Sequence, residues 1–119
     1  MIGIVVVTHG RIAEELVIAA RTIVGDVPAI AAVSIGWGDD PAAANAAIER
    51  GLAEAGGGEV LVLTDMFGGT PTNLSLPYLS DRVEIVTGVN LPMVIKASSL
   101  REGALVEVAR AVREQGKGA

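Results

Sequence analysis

The sequence predicts a three-layer α/β/α fold around a four-stranded parallel sheet. Short apolar runs alternate along the chain with segments whose apolar residues recur at helical spacing, as in βαβ units. Half of the residues are hydrophobic but only 3% are aromatic, a mixture typical of a buried parallel sheet beneath Ala-rich helices. A chain of 119 residues is predicted to form one domain.

The first βα unit opens the chain. Ile2 to Val7 (IGIVVV) is an unbroken apolar run, which predicts a buried strand. Arg11 to Val24 has apolar residues at every third or fourth position, which predicts a helix that ends at Gly25. Ala29 to Ile35 (AIAAVSI) is the predicted second strand.

Proline and glycine mark the ends of the middle elements. Asp40 is the predicted N-cap of a second helix, with Pro41 at its first position and a glycine run at 56–58 as its end. Val60 to Thr64 (VLVLT) follows as the third strand. A short helix is predicted to begin at Thr70-Pro71, and Pro77 is predicted to end or kink it.

The last third of the chain supplies one strand and two helices. Val83 to Thr87 (VEIVT) is the predicted fourth strand. A helix is predicted to start at Asn90-Leu91-Pro92, and Gly103 to Gln115 is the predicted final helix. Right-handed crossovers favour the strand order 2-1-3-4, which places the topological switch point between strands one and three.

Two loops are expected to meet at this switch point: Thr8-His9-Gly10 after strand one, and the segment 65–71 (DMFGGTP) after strand three. His9 is the only histidine in a chain without cysteine, so it is the side chain best suited to act as a neutral nucleophile near pH 7. Asp65 is placed to accept a hydrogen bond from Nδ1 of His9, which would leave Nε2 free as the nucleophile. Taken singly, His9 could be a structural residue and Asp65 a capping residue.

The Gly68-Gly69-Thr70-Pro71 segment has the features of an anion site. Two glycines allow close backbone approach, and a helix N-terminus attracts negative charge. The segment contains no lysine, so it is not a P-loop. An ordinary tight turn would equally explain the two glycines alone. Beside His9 and Asp65, the segment predicts a site that carries phosphate on histidine.

Composition excludes several other functions. The net charge of −5 argues against nucleic-acid binding, and no apolar run approaches the ~20 residues of a membrane span. The absence of cysteine excludes a disulfide scaffold and fits a cytoplasmic protein. A single histidine without clustered ligands argues against a metal, and we expect no cofactor. A Ser-His-Asp hydrolase is disfavoured because no Gly-x-Ser-x-Gly motif is present.

Three motifs resemble those of enzyme IIA of the mannose-type sugar phosphotransferase system. They are Thr8-His9-Gly10, the segment 65–73 (DMFGGTPTN) and the segment 88–93 (GVNLPM), and the similarity runs across nearly the whole chain. The resemblance implies that His9 accepts phosphate from the histidine-containing phosphocarrier protein and passes it to a IIB component. It also implies that Asp65 orients His9. The residues expected to bind the phosphoryl group are Gly10, Gly68, Gly69 and Thr70.

Two alternatives stay open. The chain could be a regulator whose phosphorylation state changes its affinity for another protein, or the phosphotransfer subunit that serves dihydroxyacetone kinase. The Phe67-Gly68-Gly69-Thr70-Pro71 sequence favours the sugar branch.

Apolar residues in the predicted loops, and at the start of the helix that begins at Asn90-Leu91-Pro92, are candidates for contact with a partner protein. For Trp37, packing over the sheet edge is an equally good explanation, and Asn90 is predicted to cap its helix. The candidates are Met66, Phe67, Leu91, Met93 and Trp37.

The C-terminus departs from the family pattern. Family members generally continue past the last helix into a segment with a further strand, which some exchange between the subunits of a homodimer. Residues 113–119 (REQGKGA) contain no apolar run for such a strand. We therefore expect the chain to lack this strand, and any homodimer to form through another surface.

Overall fold

The computed structural model describes residues 1–118. Parallel strands and helices alternate along the chain, with a short 3-10 helix at Leu76–Tyr78. The strands are β1 (Gly3–His9), β2 (Ile30–Ile35), β3 (Val60–Thr64) and β4 (Val83–Val86). The helices are α1 (Ile12–Val24), α2 (Pro41–Glu54), α3 (Thr70–Ser75), α4 (Leu91–Ser99) and α5 (Leu105–Lys117).

The four strands form one parallel sheet in the order β2-β1-β3-β4, as predicted. Val7 on β1 lies level with Val33 on β2 and with Thr64 on β3. Because β1 is paired on both sides, its carboxyl end lies next to that of β3. This arrangement brings the loops after β1 and β3 together at the switch point.

Side-chain alternation on the central strands produces two hydrophobic cores. Ile4 and Val6 point into a core with α1, α4 and α5, whereas Val5 and Val7 point into a core with α2. The sheet is therefore covered on both faces, which explains why β1 and β3 are almost wholly apolar.

Several predicted details differ from the structure, among them the last helix, which was predicted from Gly103 to Gln115 and runs from Leu105 to Lys117. Strand β1 continues to His9, because Thr8 and His9 stay in register with Ser34 and Ile35 on β2. Asp40 occupies the N-cap position of α2, but its side chain makes no capping hydrogen bond. The neighbouring carboxylate of Asp39 instead accepts a hydrogen bond from the backbone N–H of Gly36, within the turn that precedes α2.

Arg101 lies buried in the turn between α4 and α5, at the end of the sheet opposite the switch point. Its Nε donates to the carbonyl of Ile2 at 2.9 Å, and its Nη2 donates to the carbonyl of Ala29 at 2.8 Å. Nη1 donates to the carbonyl of Pro28. One guanidinium thus joins this turn to the starts of β1 and β2, while its burial lowers the pKa of Arg101.

Within residues 1–118, no helix has both the length and the apolar character needed to cross a membrane.

Candidate functional site

His9 and Asp65 meet at the switch point between β1 and β3. The ring Nδ1 of His9 lies 2.7 Å from Oδ2 of Asp65, and the backbone N–H of His9 donates to the same oxygen at 3.0 Å. Both side chains are largely buried, with 15% of His9 and 13% of Asp65 exposed. The predicted contact between Nδ1 and Asp65 is therefore present.

The charge of Asp65 determines which tautomer His9 adopts. Burial acts to raise the pKa of Asp65, but the hydrogen bonds from His9 and the attraction of its ring outweigh burial and lower that pKa. An ionised carboxylate only accepts hydrogen bonds, so Nδ1 must carry the proton. In the neutral ring, Nε2 then holds the lone pair, which makes it the nucleophilic atom.

The backbone at Gly69 closely approaches the edge of the imidazole that carries Nε2. A Cβ atom at this position would lie 2.7 Å from Cε1 of His9 and 3.3 Å from Nε2. Gly69 has an ordinary extended conformation as the N-cap of α3, so the requirement for glycine here is space beside the ring. Gly68 has a φ of +83°, which is the left-handed conformation that favours glycine.

The buried hydroxyl of Thr72 fixes the loop between β3 and α3 through two hydrogen bonds. Its Oγ1 donates to the carbonyl of Met66 at 2.6 Å, and Thr64 Oγ1 lies 2.7 Å from Thr72 Oγ1. Since the single proton of Thr72 is used on Met66, the hydroxyl of Thr64 is the donor between the two threonines. Asn73 Nδ2 adds a bond to the carbonyl of Gly68 at 3.2 Å. These supporting roles were not predicted, and the signal for them in the sequence is the adjacent pair Thr72-Asn73 that follows the glycines.

Thr8 supports the other side of the site. Its buried Oγ1 accepts a hydrogen bond from the backbone N–H of Ala13 at 2.7 Å, which fixes the first turn of α1 against the end of β1. Sequence reasoning missed this role also, because Thr8 lies outside the predicted helix and acts across five residues.

The predicted phosphate-binding residues differ in what they offer. The N–H of Gly10 donates to the carbonyl of Ile35 at 2.7 Å, so this amide is already used. Within the described part of the chain, the amides of Gly68 and Thr70 donate no hydrogen bond. Thr70 is exposed at the first position of α3. Free donors therefore lie on the β3–α3 loop, beside His9.

Trp37 stacks on His9. The two ring centroids are 4.8 Å apart and the ring planes differ by 18°, while 83% of Trp37 is exposed. The loop that carries it is closed by Asp39, whose Oδ2 accepts from the backbone N–H of Gly36 at 2.7 Å. Trp37 is thus an exposed residue at the rim of the site, in direct contact with His9.

The remaining partner-contact candidates divide between surface and core. Met66 and Phe67 are exposed, as expected of contact residues. Leu91 is partly buried and packs against the core. The prediction for Met93 is wrong: it is 2% exposed, because Met93, Val94 and Ala97 form the buried face of α4. Asn90 caps this helix as predicted, with Oδ1 accepting from the N–H of Met93 at 3.1 Å.

Among residues 1–118, no three His, Cys, Asp or Glu side chains lie close enough to hold a metal ion. The polar groups of the site are one imidazole, one carboxylate and backbone amides, a set suited to binding an oxyanion rather than a cation.

Residues 3–112 match the family model of the phosphotransferase-system (PTS) fructose IIA component, EIIA-man. The chain belongs to this family. It is 46% identical over 46 residues to the PTS system fructose-specific EIIA component of Bacillus subtilis, over 37% of this chain and 32% of that protein. It is 32% identical over 109 residues to the PTS system mannose-specific EIIAB component of Escherichia coli K12, over 85% of this chain and 32% of that protein. The chain spans about a third of the length of these curated relatives.

Solved structures of IIA proteins share the fold. A mannose/sorbose-specific IIA subunit from Enterococcus faecalis superposes with a TM-score of 0.89 at 31% identity, covering 98% of this chain and 90% of that one. A PTS component EIIA from Streptococcus agalactiae gives a TM-score of 0.81 at 27% identity, covering 98% and 95%. The α/β fold and strand order of this IIA chain are thus those of its family.

Proposed function

We propose that this IIA chain is a cytoplasmic phosphocarrier that accepts a phosphoryl group on Nε2 of His9. The donor is the histidine-containing phosphocarrier protein, and the acceptor is a IIB component in sugar uptake. The observation that carries the proposal is the 2.7 Å contact between Nδ1 of His9 and Oδ2 of Asp65. It directs the lone pair of the ring to Nε2, on the edge that faces Gly69.

The transfer needs no external base. The lone pair of Nε2 forms a bond to phosphorus while the P–N bond of the donor phosphohistidine breaks, and its electron pair stays on the donor imidazole. The ring of His9 becomes positively charged because Nδ1 keeps its proton. Asp65 stabilises that charge from 2.7 Å.

The β3–α3 loop supplies donors for the phosphoryl oxygens. The amides of Gly68 and Thr70 and the hydroxyl of Thr70 are adjacent in sequence to Gly69, where the His9 ring leaves no room for a Cβ atom. Because Thr72 and Asn73 hold this loop in place, the donors are arranged before the phosphoryl group arrives. Preorganised donors of this kind stabilise the charge that moves during transfer.

Met66 and Phe67 form the apolar part of the proposed docking surface. Both are exposed on the same loop as the phosphate donors, so a partner protein that brings its phosphohistidine to His9 must pass over them. Large exposed apolar side chains next to a reactive group are typical of transient protein contacts.

Incubation with phosphoenolpyruvate and the general phosphotransferase proteins tests the proposal. We expect one phosphoryl group per chain, located on His9 by mass spectrometry, and release of that group to a mannose-type IIB protein. His9→Ala and His9→Gln variants with wild-type circular dichroism should take no label. Equal labelling of His9→Ala would exclude His9 as the acceptor.

A further inference from the structure

Trp37 combines an exposed position with a defined contact. An indole with 83% of its surface exposed gains little from burial, yet its ring lies nearly parallel to that of His9 at 4.8 Å. Its Nε1 also lies beside Gly10, where an added Cβ would be 3.6 Å away. The indole therefore extends over His9 and the residue that follows it.

The loop geometry holds Trp37 in this place. Asp39 Oδ2 accepts from the N–H of Gly36 at 2.7 Å, and the N–H of Asp39 donates back to the carbonyl of Gly36 at 3.1 Å. These two bonds close the turn around Trp37 at its base. The stacking partner is thus presented by a constrained turn rather than by a free loop.

His9 is consequently restrained on three sides. Asp65 binds the Nδ1 edge, Gly69 lies against the edge with Cε1 and Nε2, and Trp37 covers one face. A hydrogen bond to Nδ1 alone leaves the ring free to tilt about the Nδ1–Oδ2 line. A stacked indole opposes that tilt, because tilting separates the two ring faces.

We propose that Trp37 is a positioning residue for phosphoryl transfer, whose indole fixes the plane of the His9 ring and so the direction of Nε2. This inference rests on the proposed function. The same contact favours the phosphorylated state, since the positively charged ring formed by transfer is attracted to an indole face more strongly than the neutral ring.

A small-molecule phosphoryl donor separates this role from protein docking. Phosphoramidate in its N-protonated form carries a P–N bond; attack by the lone pair of Nε2 on phosphorus breaks this bond, and the nitrogen leaves as neutral ammonia with the electron pair. No partner protein is present in this reaction. A residue that only contacts the phosphocarrier protein would leave the rate unchanged, whereas a residue that positions His9 would alter it.

We expect Trp37→Leu to lower the rate of phosphorylation by phosphoramidate about threefold to tenfold, and Trp37→Phe to recover most of it because it keeps an aromatic face. With the phosphocarrier protein, Trp37→Leu should lower kcat and not only raise KM. Ile18→Ala, at an exposed apolar residue on the outside of α1, serves as the control and should match the wild type.

The chain contains one histidine and one tryptophan, so the stack also has a direct spectroscopic signature. The ring-proton resonances of His9 should move downfield in Trp37→Leu, as the ring current of the indole is lost, and should stay in place in Ile18→Ala. Wild-type rates and resonances in Trp37→Leu would overturn the inference while the proposed function stood. A wild-type protein that takes no phosphate from either donor would overturn both.

Discussion

Oδ2 of Asp65 accepts two hydrogen bonds from His9, one from the backbone N–H at 3.0 Å and one from the ring Nδ1 at 2.7 Å. The two residues are 56 positions apart in the chain. Because β1 pairs with β3, the backbone N–H of His9 lies within reach of Asp65. The hydrogen bond from this N–H places the carboxylate so that Oδ2 also meets Nδ1 of the ring. The position of Asp65 after β3 therefore selects the tautomer of His9 that carries its proton on Nδ1.

Asp65→Asn is expected to lower the rate of His9 phosphorylation about 100-fold. An asparagine amide of the same shape offers either an oxygen or an NH₂ group, so it neither fixes the tautomer nor balances the positive ring. The measurement is transfer from the phosphocarrier protein under single-turnover conditions. Asp81→Asn, at an exposed carboxylate, should transfer at the wild-type rate; a similar loss there would point to a general charge effect.

Asp65 should also make stability depend on pH. Its pKa in the folded protein is lowered, so the stabilisation it provides is fully present above the ordinary value of about 3.9 and is lost as the pH falls through the lower folded pKa. Urea unfolding of the wild type and Asp65→Asn should differ at pH 7. The difference should disappear below the folded pKa of Asp65, and a gap of constant size down to pH 2 would contradict this linkage.

Gly69→Ala should disable the site with little change in the fold. The backbone of Gly69 suits alanine, but the new Cβ would lie 2.7 Å from Cε1 of His9 and push the ring from Asp65. We expect phosphorylation to fall about tenfold to 100-fold and the His9 ring resonances to shift.

Gly68→Ala is the matched control for the ring resonances. A Cβ at Gly68 meets nothing within 4 Å, so the resonances should stay in place. Its φ of +83° should instead cost about 1 kcal/mol in the free energy of unfolding. Unshifted His9 resonances in Gly69→Ala would contradict the prediction, because they would mean that the loop moves to accommodate the new Cβ and the His9 ring keeps its position.

The sequence was sufficient for the sheet and for the central pair. The apolar runs of β1 and β3, the alternation with helices and right-handed crossovers together determine the strand order, and that order alone brings His9 to Asp65. The predicted surface position of Met93 is wrong because Met93 lies with Val94 and Ala97 on the buried face of α4, although it closely follows a loop. The stacking of Trp37 could not be predicted, since it depends on the turn that Asp39 closes.

Met66 and Met93 should differ in how much their truncation changes the stability of the protein. Met93→Ala removes a side chain that is 2% exposed, so the free energy of unfolding should fall by about 2–5 kcal/mol. Met66→Ala removes one that is 52% exposed and should stay within about 0.5 kcal/mol of the wild type. Under the docking proposal, Met66→Ala should raise the KM for the phosphocarrier protein. Equal unfolding midpoints in denaturant would contradict the assignment of Met93 to the core.

Arg101→Lys should destabilise the protein by about 2–3 kcal/mol, although the charge is kept. A single ammonium cannot replace a planar guanidinium that reaches the carbonyls of Ile2, Pro28 and Ala29. Arg110→Lys, which alters an exposed ion pair with Glu107, should change stability by less than about 0.5 kcal/mol. Denaturant unfolding of both variants measures the difference, and equal midpoints would show that the Arg101 bonds carry no net stability.

The strand order also decides when the histidine becomes reactive during synthesis. His9 leaves the ribosome before the carboxylate that selects its tautomer, because Asp65 is translated only after β2, α2 and β3. Until β3 inserts beside β1, the imidazole is an ordinary solvated histidine with no fixed nucleophilic nitrogen. Under the proposed function, a nascent chain should therefore take phosphate from the carrier far more slowly until β3 lies beside β1.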